Sequence, residues 1–217
     1  MHQLYSFRRC PYAIRTRMTL SYTGIRVELR EVLLKNKPAE MLALSQKGTV
    51  PVLLIDGGKV LEESRDIIAW SLAKNDHANW LCVEQPELNS AMAMLVDQND
   101  FEFKDSLDRY KYYDRYQEQT QEYYRQRGLE FLEVLNEQLK SSGFLFGDKL
   151  SWPDVAIFPF VRQFASVDKN WFDAQTLPFV KTWLKRHLDS ELFNSVMYKY
   201  RPWEQGEKPV YNLAITM

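Results

Sequence analysis

Hydrophobic periodicity changes character once along this chain, and that single change limits the folds open to it. Up to about residue 76 the elements are short and the apolar period switches between 2 and 3.6, whereas from Pro86 onward helical spacing persists for long stretches. The pattern predicts an α/β domain over 1–76, a linker over 77–85 where Asn, Asp and His precede a proline, and an all-α helical domain over 86–217 with an irregular C-terminal tail. Strands are expected over 4–7, over 26–32, where Val27 and Leu29 alternate with Arg26, Glu28 and Arg30, and over 50–55, a continuous apolar run suited to a buried strand. Asp56-Gly57 starts a tight turn into a partner strand over 59–61. Helices are expected over 11–23, with Ile14, Met18 and Tyr22 on one face and Gly24 as the stop, over 38–44, and from Ser64 with Ile67, Ile68 and Leu72 as its packing stripe. The order is βαβ followed by αββα. Beyond the linker, helices are expected at about 87–106, 115–141, 153–168, 178–188 and 189–198.

Charge narrows the function classes. With 28 Lys plus Arg against 29 Asp plus Glu the net charge is -1, which excludes the global positive field of a non-specific nucleic-acid coat. The balance is uneven: residues 1–75 carry net +5 and the remainder net -6, so an anionic ligand would prefer the first third. Two cysteines, Cys10 and Cys82, are too few for a disulfide framework and lack zinc-site spacing, which suits a reducing interior and makes the cytoplasm the expected location. The longest apolar runs, 50–55 and 155–161, fall far short of the roughly 20 residues that span a bilayer, so neither export nor membrane insertion is expected.

The most informative local motif is Arg9-Cys10-Pro11-Tyr12-Ala13, between the first strand and the first helix. Pro11 suits the first helical turn and biases Cys10 toward extended backbone just outside it, so the thiol would face free N–H groups. A free cysteine, with pKa about 8.5, is only a few per cent thiolate at neutral pH, and lowering that value by about two units takes roughly 2.7 kcal/mol. A helix terminus supplies about 0.3 to 1 kcal/mol, so further donors are required, with Arg8, Arg9 or Arg15 as the nearby candidates. A redox Cys-x-x-Cys would place a second thiol at residue 13, where Ala13 stands, so a mixed disulfide on Cys10 needs an outside thiol to resolve it.

The N-terminal third resembles the thioredoxin-like domain of cysteine-type, omega-like glutathione transferases. The motifs that carry the resemblance are Arg9-Cys10-Pro11-Tyr12-Ala13, then Lys37, then Thr49-Val50-Pro51-Val52-Leu53, then Glu62-Glu63-Ser64. Ser151-Trp152-Pro153-Asp154 is similar to the structural capping box of that family's helical second domain, so the likeness extends over most of the chain. The resemblance implies a catalytic Cys10 and glutathione as co-substrate, with no metal. Val50 and Pro51 would form a cis-proline turn holding the cysteinyl backbone, Glu63 and Ser64 would receive the γ-glutamyl end, and Lys37 would meet the glycine carboxylate. It also implies a homodimer, and thiol transfer, deglutathionylation or reduction of small conjugates in preference to conjugation.

Tyrosines crowd the stretch 108–127, among them Tyr113 and Tyr116, but five basic and four acidic residues leave no phosphate-attracting stripe. They are expected to form a helix wall, with Tyr12, Tyr113 and Tyr116 as candidate lining for a second-substrate pocket. His2, His77 and His187 have no partner at metal-ligand spacing, and Tyr5 lies too deep in the first strand to be the thiol's activator. Two alternatives stand beside the enzyme. One is a non-enzymatic adaptor resembling stringent starvation proteins that bind RNA polymerase, disfavoured by retention of Cys10, Lys37, Pro51, Glu63 and Ser64. The other is a membrane-inserting relative of intracellular chloride channel proteins, disfavoured by Arg15 and Arg17 in the first helix.

Overall fold

Strand β1 (Gln3–Ser6) sends Leu4 to one face of a sheet and Tyr5 to the other, and each anchors a separate apolar layer in the computed structural model, which describes residues 1–212. The sheet has four strands in the order β2-β1-β3-β4, with β2 at Glu28–Glu31, β3 at Val52–Leu54 and β4 at Val60–Leu61. β1 runs parallel to β2 and antiparallel to β3, and β3 is antiparallel to β4. On the Leu4 face, Leu20 of α1 (Pro11–Tyr22) and Ile67 of α3 (Ser64–Leu72) close the core with Val27, Leu29 and Leu53. On the Tyr5 face, Met41 of α2 (Ala39–Leu44) packs with Val32, Val50 and Val52.

Helix α1 ends as expected. Gly24 adopts φ +70°, and the Ile25 and Gly24 N–H groups return to the carbonyls of Leu20 and Ser21, the double closure that a left-handed residue permits.

The chain divides into two compact units, Met1–Ala78 with Asp189–Met217 and Asn79–Leu188. The sequence pattern predicts one helical domain over 86–217. The structure instead returns the last segment to the first unit, for a physical reason: β2 is an edge strand whose outward N–H and C=O groups need partners. Leu29 N–H donates to Val210 O (2.7 Å), Val27 N–H to Asn212 Oδ1 (2.8 Å), and Trp203 N–H to Glu31 O (2.7 Å). Arg26 lies over the Tyr211 ring and Arg30 over Trp203. The expected helix over 189–198 is the shorter α10 (Glu191–Ser195), opened by the Ser190 hydroxyl accepting from Phe193 N–H. The C-terminal part of the expected irregular tail, 213–217, lies outside the described residues.

The second unit is helical: α4 (Pro86–Gln98), a π-helical turn (Asn99–Phe103), α5 (Lys104–Lys111), α6 (Gln121–Gln138), α7 (Trp152–Ala165), α8 (Lys169–Ala174) and α9 (Pro178–Asp189, to Leu188). The helix expected at 87–106 thus runs on to residue 111 through a π turn. The one expected at 115–141 starts later, where Thr120 caps it. α8 was not anticipated; its signal is Asp168, whose carboxylate accepts from Trp171 N–H. No helix among the described residues is long and apolar enough to cross a membrane.

His187, read in the sequence as a scattered histidine, lies in this unit's core, stacked on Phe158 and edge-on to Trp183. Burial, with Arg186 nearby, pushes its pKa down to about 3. The unfolded chain binds a proton near pH 6.5 and the folded one does not, so stability from this group is complete above pH 6.5 and drains away as pH falls toward 3. Between pH 7 and pH 5 the wild type is expected to lose about 2 kcal/mol more than His187→Phe in urea unfolding. Identical losses in the two proteins would refute this.

Candidate active site

Cys10 caps the N-terminus of α1 in extended backbone (φ -71°, ψ 124°), with Pro11 in the first turn as the sequence predicts. Its N–H donates to Phe7 O (3.0 Å), and its carbonyl accepts from Ile14 N–H, so the loop out of β1 and the helix start hold the residue from both sides. The partly buried thiol donates to the Val50 carbonyl across 3.6 Å. Val50 is followed by a cis peptide bond to Pro51, at the entry to β3. Two segments forty residues apart therefore meet at the sulfur.

Around this pair the remaining residues take defined positions. Glu63 is the N-cap of α3 and Ser64 its first residue. Ser64 is buried, and its hydroxyl accepts from both Nε (3.1 Å) and Nη2 (2.8 Å) of Arg15, whose buried guanidinium also lies over the Tyr12 ring. Glu63 is exposed and pairs with Lys47 (2.6 Å), while its neighbour Glu62 accepts from the Ser45 hydroxyl (2.6 Å). The Lys47–Glu63 pair raises the pKa of Lys47 through the hydrogen bond and the attraction, but in solvent it adds little stability.

Lys37 is exposed, and its ammonium lies beside Gly48: a Cβ added there would stand 3.5 Å from Lys37 Nζ. Gly48 has φ +59°, a conformation that favours glycine, and lies two residues before Val50. Cationic and polar groups thus gather on the loop leading to Pro51, in the third of the chain whose charge is net positive.

Tyr12 belongs to the first unit, and Tyr113 and Tyr116 to the second. Tyr113 lies in a short 3-10 turn and is exposed; Tyr116 sits under the Arg109 guanidinium. Arg109 also pairs with Asp105 and Glu118, and Lys111 and Arg115 flank the Tyr112 ring. The cations of this stretch are spent on neighbouring rings and carboxylates, but Tyr112, Tyr113 and Tyr116 lie in the turn and loop between α5 and α6 and not on the expected helix wall. Tyr5 is fully buried, with its hydroxyl accepting from Arg30 Nη1 (2.6 Å), a core and hydrogen-bonding role. No cluster of three or more His, Cys, Asp or Glu fit to hold a metal ion occurs among the described residues.

Sequence reasoning missed the partners beneath the site. The sequence offers Arg15 as a donor for the sulfur, and the structure commits its Nε and Nη2 to Ser64. Arg9 is exposed over the Phe7 ring. Arg17, read only as an obstacle to membrane insertion, is buried behind the Cys10 loop. No local signal marks either burial, because arginines on a helix that also carries Thr16, Thr19 and Ser21 read as part of a solvated face.

A thiol at the start of the first helix, facing the residue before a cis-proline, on a mixed four-stranded sheet followed by a helical unit, defines a thioredoxin-like domain joined to an all-helical one. The profile of the glutathione S-transferase N-terminal domain matches residues 4–80, and that of the C-terminal domain matches 104–186. The chain belongs to the glutathione S-transferase family. It is similar to mouse glutathione S-transferase omega-1, 44% identical over 62 residues, which are 29% of this chain and only 26% of that relative. It is 25% identical to the chloroplastic glutathione S-transferase DHAR3 of Arabidopsis thaliana over 206 residues, covering 92% of this chain and 73% of the relative. A glutathione transferase family member from Pseudomonas fluorescens, solved with two glutathione molecules bound, superposes with TM-score 0.69 at 19% identity, over 90% of this chain and 92% of the other.

Proposed function

We propose that this protein is a cysteine-type, glutathione-dependent thiol transferase acting through Cys10. The observation that carries the reading is the placement of the Cys10 sulfur at the start of α1, 3.6 Å from the carbonyl that precedes Pro51. Glutathione is the tripeptide γ-glutamyl-cysteinyl-glycine, with a carboxylate at each end. The Ser64 hydroxyl and Glu63 suit its amino-acid head, the Val50 backbone its cysteinyl amide, and Lys37 its glycine carboxylate. The glutathione-bound structural neighbour and the likeness to omega-1 support the same ligand class.

The chemistry balances without a metal. The Cys10 thiolate attacks the glutathione sulfur of a mixed disulfide, forming a Cys10–glutathione disulfide and releasing the other thiolate, which takes a proton from water. A second glutathione thiolate then attacks the protein-bound glutathione sulfur, releasing Cys10 as thiolate and leaving as oxidised glutathione. Ala13 stands where a resolving thiol would be, so the second glutathione is required.

Mass spectrometry of the protein incubated with oxidised glutathione is expected to find one glutathione adduct, on the peptide containing Cys10. Absence of an adduct, or modification of Cys82 alone, would overturn this function.

A further inference from the structure

Arg17 is almost completely buried, and its five N–H donors have five acceptors. Nε donates to Val196 O (3.1 Å); Nη1 to Ser6 Oγ (2.5 Å) and Phe7 O (3.4 Å); Nη2 to Arg8 O (2.8 Å) and, across 3.9 Å, to the Met197 sulfur. Every acceptor is neutral, and among the described residues no carboxylate lies at ion-pair distance from it. A guanidinium removed from water and left without an anionic partner is costly to fold around, so its place asks for a reason.

That place is the loop carrying the reactive cysteine. Three of the five acceptors belong to Ser6, Phe7 and Arg8, just before Arg9-Cys10, and the Phe7 carbonyl that accepts from Arg17 also accepts from Cys10 N–H. The cation stands one carbonyl away from the Cys10 backbone, in a medium that screens it far less than water would. The need for charge is also visible. The Cys10–Val50 contact is made by the protonated thiol as donor, so ionisation forfeits it, and a helix N-terminus offsets only part of the cost.

We propose that Arg17 is the positioning residue of this site, a buried cation that fixes the Cys10 loop and holds the Cys10 sulfur as a thiolate without touching it; the inference rests on the thiol-transfer reading above. Burial pushes Arg17 down to about 10, which leaves it charged at neutral pH, and Cys10 and Glu31 are among the groups whose negative charge pulls it back up. The charged and titratable groups facing Arg17 are Glu31 from β2, Arg8 from the loop, Tyr200 from the C-terminal segment and Cys10 itself. Glu31 accepts from Arg8 N–H (2.8 Å) and subtracts from the cation's field. Exposed Arg9 is screened by solvent.

The test is the pH dependence of iodoacetamide alkylation of Cys10 in full-length protein carrying Cys82→Ser. The wild-type midpoint is expected below the ordinary value of about 8.5. Arg17→Met should raise it by about one pH unit, with the high-pH limiting rate within a few-fold. Arg17→Lys, which keeps the charge, should stay near wild type. Glu31→Gln should move the midpoint down, the opposite direction, and decides the matter if Arg17→Met does not fold. An ordinary wild-type midpoint overturns both the thiolate reading and this inference. A depressed midpoint that Arg17→Met or, failing that, Glu31→Gln leaves unmoved overturns the role of Arg17 alone, because a merely structural residue would change the limiting rate and not the midpoint.

Discussion

Cys10→Ser is expected to lower the glutathione-dependent reduction of a small mixed disulfide by at least ~10³-fold, to the level of the uncatalysed exchange. Serine keeps the size and hydrogen-bonding capacity of the side chain but cannot form the sulfur–sulfur bond on which both steps depend. Little else should change. The Cys10 side chain makes no capping hydrogen bond to the helix and is only partly buried, so stability should remain within about 1 kcal/mol of wild type. Lys37, Val50 and Ser64 are untouched, so glutathione affinity by calorimetry should change less than about tenfold. Cys82→Ser, made in parallel, should leave the rate alone. A Cys10→Ser protein that still turns over the mixed disulfide at the wild-type rate would rule out covalent catalysis at this position.

The site's nucleophile was legible in the sequence because its signal is local. Pro11 sets its own φ and restricts Cys10, and the same restriction places the thiol at a helix start. Strand β3 and the turn after it were legible for a similar reason: an apolar run closed by Asp56-Gly57 has one economical conformation, and Gly57 and Gly58 both take positive φ. What could not be read are arrangements decided by groups far apart in sequence. The return of 203–212 to the edge of β2 has no periodicity of its own; it exists because unpaired backbone groups on residues 27–31 are waiting there. The π turn at Asn99–Phe103 was invisible because one extra residue in a turn leaves both flanking helices with an ordinary pattern.

Arg15 and Arg17 show the same limit at the site itself. A charged residue on a helix reads as solvated, and only the tertiary fold reveals that one guanidinium is spent on Ser64 and the other on the carbonyls of the cysteine loop. Lys47 was missed for the opposite reason. It is an ordinary exposed lysine in every local respect, and its relation to Glu63 depends on a loop closing across sixteen residues.

The largest stability effect is expected in the second unit, at Asp154. The sequence suggested reciprocal capping with Ser151, and the structure gives the carboxylate a wider role. Oδ2 accepts from Ser151 N–H (3.1 Å) and Ser151 Oγ (2.8 Å), while Oδ1 accepts from Leu145 N–H (2.9 Å) and Trp183 Nε1 (2.8 Å). One fully buried side chain thus ties the start of α7 to the preceding loop and to α9. Burial pushes its carboxyl up, and the four donors oppose that shift. Asp154→Ala would strand buried donors at Leu145, Ser151 and Trp183, each costing about 1 to 3 kcal/mol, so a loss of about 3 to 5 kcal/mol is expected after partial relaxation. Asp154→Asn keeps one oxygen for Leu145 and Trp183 but turns an NH₂ toward Ser151, and should lose about half as much. Urea unfolding at neutral pH, with the midpoint falling and the slope unchanged, is the measurement. If Asp154→Ala unfolds within 1 kcal/mol of wild type, the carboxylate is not what joins these three segments, and the hydrogen bonds to Leu145 and Trp183 are incidental to a core that apolar packing already holds.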